Sequence, residues 1–213
     1  MSSHELNVMG KVGPSVAGDG SSALVRLDKS GGLVTHAIHG KYFAAASRGN
    51  LFLASLAVAG VAPGTAFSTT PTIALWNPPG SGILTAIQQV WVGYVSGTLG
   101  AGSLCHGVNP SQVTAPTTGT ELVPQSGLLG VARGKTRAYT GATVSVTPVI
   151  LRASLHLGAA LASTATFPAV AYDEVDGSIV IPPGSLWAYH GVAAAGSTPL
   201  VIVSVIFEEV PDA

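Results

Sequence analysis

Histidine and cysteine side chains, the usual ligands of zinc, are scattered along this sequence. His36 and His39 lie three residues apart, which would place them on one face of a helix, but their neighbours are typical of an extended strand. His106 follows the single cysteine, Cys105, and neither an HExxH nor a CxxC spacing occurs. A zinc site requires three or four convergent ligands. We therefore predict structural histidines, no metal and no cofactor.

Residues 130–136 contain a Gly-Lys-Thr triplet in a pattern close to that of a phosphate-binding loop. That motif has four residues between its first glycine and the triplet, so that successive backbone N–H groups surround a phosphate. Here three residues intervene, and the residues that follow are typical of a turn and a strand instead of a helix. The pattern therefore predicts a basic surface loop.

Two acidic runs, at residues 173–176 and 208–212, are the densest groups of carboxylates. Hard cations such as calcium bind several carboxylate oxygens at once. The first run, however, precedes Gly177 in a predicted hairpin turn, where solvated carboxylates are common. The sequence also lacks the G-x-S-x-G pattern of a nucleophile elbow. We predict that the protein is not an enzyme.

Aromatic residues on predicted strands are the remaining candidates for molecular recognition, and they are Trp76, Trp91, Tyr94, Trp187 and Tyr189. Such side chains stack on sugars or anchor protein interfaces, although core packing is their most frequent role. Trp187 and Tyr189 are two residues apart on one predicted strand, so they lie on the same face and share one environment.

The sequence carries little charge: 9 basic and 10 acidic residues among 213, or 9%, where about 25% is usual. No charged residue occurs between Arg48 and Glu121. This excludes a nucleic-acid-binding protein that neutralises phosphates, and the apolar content of 47% excludes a disordered chain. Because so few charges give little repulsion against self-association, we predict that other copies of the chain cover part of its surface.

Apolar runs in this sequence are too short and too interrupted to cross a membrane. The best candidate, residues 51–67, falls below the about 20 residues that a membrane helix needs, and Gly60, Pro63 and Gly64 interrupt it. The start of the chain lacks a basic region followed by an apolar stretch. We therefore predict neither a membrane span nor a signal peptide.

The first 50 residues differ in character from the rest. Residues 10–22 are rich in glycine and serine and cannot form a core element. Residues 41–48 are rich in alanine and end at Arg48 before Gly49, which is the usual chemistry of a helix end. Residues 1–50 are therefore predicted to form an extended N-terminal arm with a short helix.

From residue 51 the pattern is that of β-strands with turns of Pro, Gly and Asp between them. Residues 83–96 are predicted to form one long strand, bent or bulged near Gln88 and Gln89. Further strands are predicted at residues 72–77, 103–108, 143–150, 151–157, 169–172, 177–181, 185–190 and 200–207. Short strands at this spacing, without a long amphipathic helix, predict an all-β, jelly-roll-like β-sandwich over residues 51–213.

Four segments carry a resemblance to a known group of proteins: GKYFAAASRGNLF at residues 40–52, WNPPGSG at 76–82, IPPGSL at 181–186 and VIVSVIFEEVP at 201–211. With them the chain resembles structural proteins of tailed-bacteriophage virions, in particular capsid decoration (cement) proteins with a jelly-roll body. The resemblance implies a homo-oligomer, often a trimer, that binds the major capsid protein on the outer capsid surface. It also implies assembly in the host cytoplasm and an N-terminal arm that contacts neighbouring subunits.

The candidate interface residues are Arg26, Lys41, Tyr42, Arg48, Trp76, Trp91, Trp187 and Tyr189. Two alternatives stay open. One is a tail or head-fibre protein that binds host glycans through exposed aromatic side chains at Trp76, Trp187 or Tyr189. The other is a neck or tail component, such as an adaptor or stopper. No partner among nucleic acids or membranes is expected.

Overall fold

The computed structural model describes residues 40–157, 161–162, 170–193 and 196–212. Most of the predicted arm, including Arg26, His36 and His39, lies outside these residues. The second of two units, Tyr42–Ala213, holds the described helix and strands. The elements are α1 (Phe43–Ser47), β1 (Leu51–Ser55), β2 (Ile73–Asn77), β3 (Ile83–Ser96), β4 (Thr98–Leu99), β5 (Gly102–Asn109), β6 (Thr120–Leu122), β7 (Gln125–Ser126), β8 (Arg137–Thr140), β9 (Val149–Leu157), β10 (Leu161–Ala162), β11 (Val170–Ile181), β12 (Ser185–Ala193) and β13 (Leu200–Pro211).

Two antiparallel sheets form a sandwich. The five-stranded sheet has the order β11-β3-β13-β1-β7, and the six-stranded sheet has the order β6-β8-β2-β12-β5-β9. Eight strands make up the frame: β1, β2, β3, β5, β9, β11, β12 and β13. Counted along the chain, they are ordered first-eighth-third-sixth in one sheet and second-seventh-fourth-fifth in the other, as in a jelly roll. The predicted all-β, jelly-roll-like sandwich is confirmed.

The short helix ends as its sequence predicts. Gly49 has a φ of 75°, a left-handed conformation that glycine adopts without a Cβ clash. Its N–H donates to the carbonyl of Ala46 at 2.9 Å, and the N–H of Asn50 donates to that of Ala45 at 3.0 Å. These two bonds form a Schellman motif, which satisfies the last carbonyls of α1 and turns the chain into β1.

The main core lies between the two sheets. Strand β13 shows the alternation that produces it, because Val201, Val203, Val205 and Phe207 are buried while the residues between them are more exposed, up to Glu208. They pack with inward side chains of the six-stranded sheet, Trp187 among them. Burying one such large side chain contributes about 1.5–3 kcal/mol, so this layer dominates the stability of the body.

A second apolar layer covers the outer face of the six-stranded sheet. All five residues of β2 are buried, because Ile73 and Leu75 face the main core while Trp76 packs on the opposite face with Tyr139 and Leu186. The segments around residues 112 and 145 lie over this face, and the indole N–H of Trp76 donates to the backbone carbonyl of Gln112 at 2.6 Å. Strand β2 is therefore buried on both faces.

The predicted bulge in the long strand is present. Ile87 of β3 pairs with Phe207 of β13, and Gln89 pairs with the adjacent residue, Ile206. Gln88 therefore has no partner in β13 and is the extra residue of the bulge. Strand β11 shifts register opposite the same point, between Glu174 and Ile179.

Two strand predictions need correction. Residues 169–172 and 177–181 were expected to be separate strands, but β11 runs continuously from Val170 to Ile181. Asp176 and Gly177, with φ of 50° and 72°, form its bulge and not a hairpin turn. Residues 143–148 precede β9 as a covering segment, in which Thr143 pairs only with Thr117 in an isolated bridge. Val144 packs on the outer face of the six-stranded sheet, whereas Val146 is 55% exposed, so the alternation in this segment does not mark membership of a sheet.

Candidate functional site

Three of the predicted interface residues lie inside the chain. Trp76, Trp187 and Tyr189 are buried, the last two in the main core as a stacked pair with ring centroids 5.9 Å apart. Side chains enclosed within one chain cannot contact a partner, so these three are removed from the candidate interface. Glycan binding through them is excluded for the same reason. Trp187 and Tyr189 do share one environment, as their spacing predicts.

A polar cluster that runs from buried His106 to the exposed Arg152 includes the hydrogen-bond partner of the Trp187 indole. Its N–H donates to Nδ1 of His106 at 3.1 Å, and Nε2 of His106 lies 2.8 Å from Oδ2 of Asp173 on the opposite sheet. Arg152 completes the cluster, because its Nη2 donates to the same carboxylate oxygen at 2.7 Å. The hydroxyl groups of Tyr189 and Ser154 are hydrogen-bonded beside it. The cluster joins β5, β9 and β12 to β11 across the core.

The partners of His106 determine its protonation. The indole N–H only donates, so Nδ1 must accept, and the proton of the neutral ring therefore lies on Nε2 and is donated to Asp173. Burial lowers the pKa of His106, against the opposing effect of Asp173. With both nitrogens engaged and no exposed surface, the imidazole cannot take a proton from a bound substrate. The cluster holds the two sheets together.

Asp173 differs from its predicted setting. The acidic run was expected in a solvated turn, but Asp173 lies within β11, opposite Val90, with its carboxylate pointing into the sandwich. The reason is the continuity of β11 through the bulge at Asp176. Nothing in the local sequence indicates this contact, since its partners, His106 and Arg152, come from strands distant in the chain.

Three further candidate residues lie at the start of the described chain. Lys41 and Arg48 are exposed, and Tyr42 is half-buried, with its hydroxyl donating to Oδ1 of Asp176 at 3.5 Å. They lie at the two ends of α1. Their exposure is compatible with a contact surface.

The outer face of the five-stranded sheet carries the eighth candidate, Trp91. The strand registers place Tyr172, Trp91, Ser204 and Ser55 in one row across four strands. Trp91 and Tyr172 are 39% and 57% exposed, and their rings stack with centroids 5.1 Å apart and planes at 23°. Tyr172 was not predicted as a functional residue, because its pairing with Trp91 depends on a register between strands about 80 residues apart.

A groove lies beside this aromatic pair. It has a volume of about 430 Å³, and its lining residues are Leu53, Ala54, Ser55, Trp91, Val123, Gln125, Ser204, Val205 and Ile206. The hydroxyl groups of Ser55 and Ser204 are 2.7 Å apart, and that of Ser55 donates to the carbonyl of Leu56 at 3.2 Å. No lining residue is charged. We call this feature the tryptophan groove.

The basic loop binds a carboxylate from its own chain. The backbone N–H groups of Lys135 and Thr136 donate to the carboxylate of Glu209, at 3.1 and 2.7 Å. Gly134 packs so closely that an added Cβ would lie 2.4 Å from an oxygen of Glu209. The anion that this loop holds is therefore a buried glutamate of β13, and the prediction of a basic loop at the surface holds for its exposed Arg133.

An apolar edge lies where the last strands of the two sheets approach each other. On β9, Val149, Ile150 and Leu151 are 65%, 51% and 49% exposed, and Val180 of β11 is also exposed. A cavity of about 280 Å³ opens between β9 and β11, lined by Leu151 and Val180 among others. We define the apolar edge as these four residues.

Within the described ranges, no group of three or more His, Cys, Asp or Glu side chains is arranged to hold a metal ion. The same ranges contain no helix with the length and apolar character that a membrane crossing requires. Comparison with known family models, characterised proteins and solved structures finds no match to this chain. Function must therefore be argued from the surfaces described above.

Proposed function

We propose that this chain is a decoration protein of a tailed phage, which binds the assembled head shell as a homo-oligomer and stabilises it. The segments quoted for the resemblance support this proposal, and the jelly-roll frame is compatible with it. A fold alone hosts many functions. The observation that carries the proposal is the apolar edge, because it gives the protein a means of self-association.

The apolar edge has the properties of a subunit interface. Terminal strands expose unpaired backbone groups, and soluble monomers usually protect them with charged side chains, prolines or bulges. Here the first three residues of β9 are exposed and apolar, and the first charge along the strand, Arg152, is engaged with Asp173. Contiguous apolar surface on a protein with few charges favours contact with another copy.

The proposed mechanism is passive. Each subunit buries its apolar edge against a neighbour, and the resemblance implies a trimer. The first 50 residues then contact the major capsid protein or adjacent subunits. An oligomer attaches through several weak contacts at once, so its residence on the shell exceeds that of a single chain without any further chemistry.

Replacing Ile150 with Asp tests the interface. A charge at the apolar edge has to be desolvated on association, so we expect the native mass to fall from an oligomer to a single chain of 21.2 kDa. Sedimentation velocity measures this. Val58→Asp is the matched control, because Val58 is 88% exposed and lies outside the edge. A monomeric wild type, or an unchanged mass for Ile150→Asp, would contradict the proposed interface.

The location on the virion needs a separate measurement. In virions of the phage that carries the coding sequence, antibodies against the chain are expected to label the head surface in electron micrographs. Labelling confined to the tail or neck would support the alternative of a tail or neck component. Absence of the chain from a mass-spectrometric inventory of purified virions would overturn the proposal.

A further inference from the structure

The tryptophan groove combines the indole of Trp91 with three polar side chains, Ser55, Ser204 and Gln125, in a lining that is otherwise apolar. Trp91 exposes part of its indole ring, while the two serine hydroxyl groups in its row are small and leave space beside it. Gln125 lies on the opposite side of the groove, with its amide nitrogen donating to the carbonyl of Val123 at 3.1 Å. Its amide oxygen remains as a possible acceptor for a ligand.

The orientation of Trp91 is supported from several sides. Tyr172 stacks against it, and its indole N–H donates to Oε1 of Gln89 at 3.3 Å. The amide nitrogen of Gln89 in turn donates to Glu174 at 3.4 Å. Tyr172 and Gln89 therefore restrain an indole that is still accessible, and Glu174 in turn holds Gln89. A restrained aromatic ring binds a ligand at a lower cost in conformational entropy than a mobile one does.

The chemistry of the lining selects among possible ligands. The two serine hydroxyl groups and the Gln125 amide nitrogen already have partners within the chain, but their oxygens can accept further hydrogen bonds. A wholly apolar occupant would remove water from these oxygens without replacing it. An anion would find no positive charge in the lining, and a cation would find no carboxylate there. The lining suits a neutral molecule that has one apolar face and a rim of hydroxyl groups.

We propose that the tryptophan groove is a carbohydrate-binding site. The C–H face of a sugar ring stacks on the exposed indole of Trp91, and the sugar hydroxyl groups bond to Ser55, Ser204 and Gln125. The volume of about 430 Å³ lies within the usual range for small-molecule sites. This site is separate from the proposed subunit interface, because none of its lining residues belongs to the apolar edge.

Binding is tested on the full-length chain with a glycan array of neutral oligosaccharides built from glucose, galactose, mannose and N-acetylglucosamine. Titration of the best binder against tryptophan fluorescence then gives an affinity. Trp76 and Trp187 are buried, so a fluorescence change on addition of sugar reports chiefly on Trp91. We expect at least one neutral glycan to bind and to change this fluorescence.

Substitutions locate the site. Trp91→Ala is expected to weaken binding by about tenfold or more, and Ser204→Ala should also weaken it while leaving the indole in place. Phe43→Ala is the matched control, because Phe43 is an exposed aromatic residue outside the groove. The affinity of this variant for the glycan should equal that of the wild type.

Three results would overturn the proposal. The first is the absence of binding to every glycan on the array at millimolar concentration. The second is an affinity that Trp91→Ala leaves unchanged. The third is a fall in native mass caused by Trp91→Ala, which would identify the groove as a subunit contact. If the chain binds a sugar but antibodies against it do not label virions, the carbohydrate-binding site is supported and the proposed role as a decoration protein is contradicted.

Discussion

His106 shows how one buried side chain couples two sheets. Its Nδ1 accepts from Trp187 and its Nε2 donates to Asp173, so each nitrogen has one partner and the neutral ring is fully satisfied. A protonated ring would carry a second N–H directed at the indole N–H, with no acceptor between them. The folded state therefore favours neutral His106, which agrees with its lowered pKa.

The stability of the body should consequently fall in mild acid. Because the pKa of His106 is lower in the folded than in the unfolded state, its contribution is complete above the unfolded value of about 6.5. That contribution is lost as the pH falls through the folded pKa. Buried His190 acts in the same direction. Urea unfolding at pH 7.5 and pH 5 should give a lower free energy of unfolding at the lower pH.

His106→Gln separates this titration from the hydrogen bonds. A glutamine can accept from Trp187 and donate to Asp173 but does not titrate, so the pH dependence should become shallower. His106→Ala leaves the buried indole N–H of Trp187 without an acceptor and removes one of the two bonds to Asp173, so it should cost about 2–4 kcal/mol at pH 7.5. An unchanged pH dependence in His106→Gln would show that other groups cause the loss.

At the scale of elements, one glutamine holds the covering layer on the six-stranded sheet. The side-chain oxygen of Gln112 accepts from Asn109, from the backbone N–H of Ser145 and from its hydroxyl, at 2.8–2.9 Å. Its amide nitrogen donates to the carbonyl of Thr114 at 2.8 Å. Gln112 is almost fully buried and joins two segments that have no ladder between them.

Gln112→Ala should therefore loosen the layer that covers Trp76. We expect a loss of about 1–3 kcal/mol in unfolding free energy, because buried Asn109 and the backbone N–H of Ser145 lose the Gln112 oxygen as acceptor. Amide hydrogen exchange at Ser145 should accelerate, while exchange within β13 should change only with global stability. Ser111→Ala, at the exposed neighbouring position, is the control. Equal exchange at Ser145 in both variants would contradict this role of Gln112.

Local patterns predicted the elements whose structure depends on neighbouring residues. The limits of β3, its bulge at Gln88 and the helix end at Gly49 all follow from side chains nearby in the sequence. Residues 143–148 were wrongly predicted to be part of a strand, because valines alternate with polar residues there although only Val144 packs on a sheet face and Val146 is exposed. The hairpin turn predicted at Asp176 and Gly177 was wrong, because two consecutive residues with left-handed backbone conformation occur in bulges as well as in turns.

The candidate sites were harder to predict than the strands. The cluster at His106 and the stacking of Tyr172 on Trp91 both join strands that are distant in the chain. Only the sheet order and register bring these side chains together. The low charge, by contrast, predicted an association-prone surface without indicating which strands would carry it.

At the scale of the molecule, the body has its own core. The buried residues of the main core cluster begin at Phe52 and end at Phe207. Deletion of residues 1–40 should therefore leave a folded protein with the same oligomeric state as the full chain and with a Tm changed by no more than about 4 °C. The same deletion should abolish co-sedimentation with phage heads, if the first 50 residues supply the contacts to the shell.

Three measurements separate these outcomes. Circular dichroism and sedimentation velocity report folding and native mass, and co-sedimentation reports attachment. Full-length protein carrying Val58→Asp serves as a control that should still attach. A truncated protein that binds heads as well as the full chain does would contradict a role for the N-terminal residues in attachment.

The pairing of β1 with β13 also affects how this protein would serve as a display scaffold. Leu51, where β1 begins, lies opposite Glu208, near the end of β13. A cargo domain fused after the last residue would therefore emerge near Leu51, at the start of β1. The turn at residues 57–60, beyond the other end of β1, offers an insertion point at a distance from Leu51.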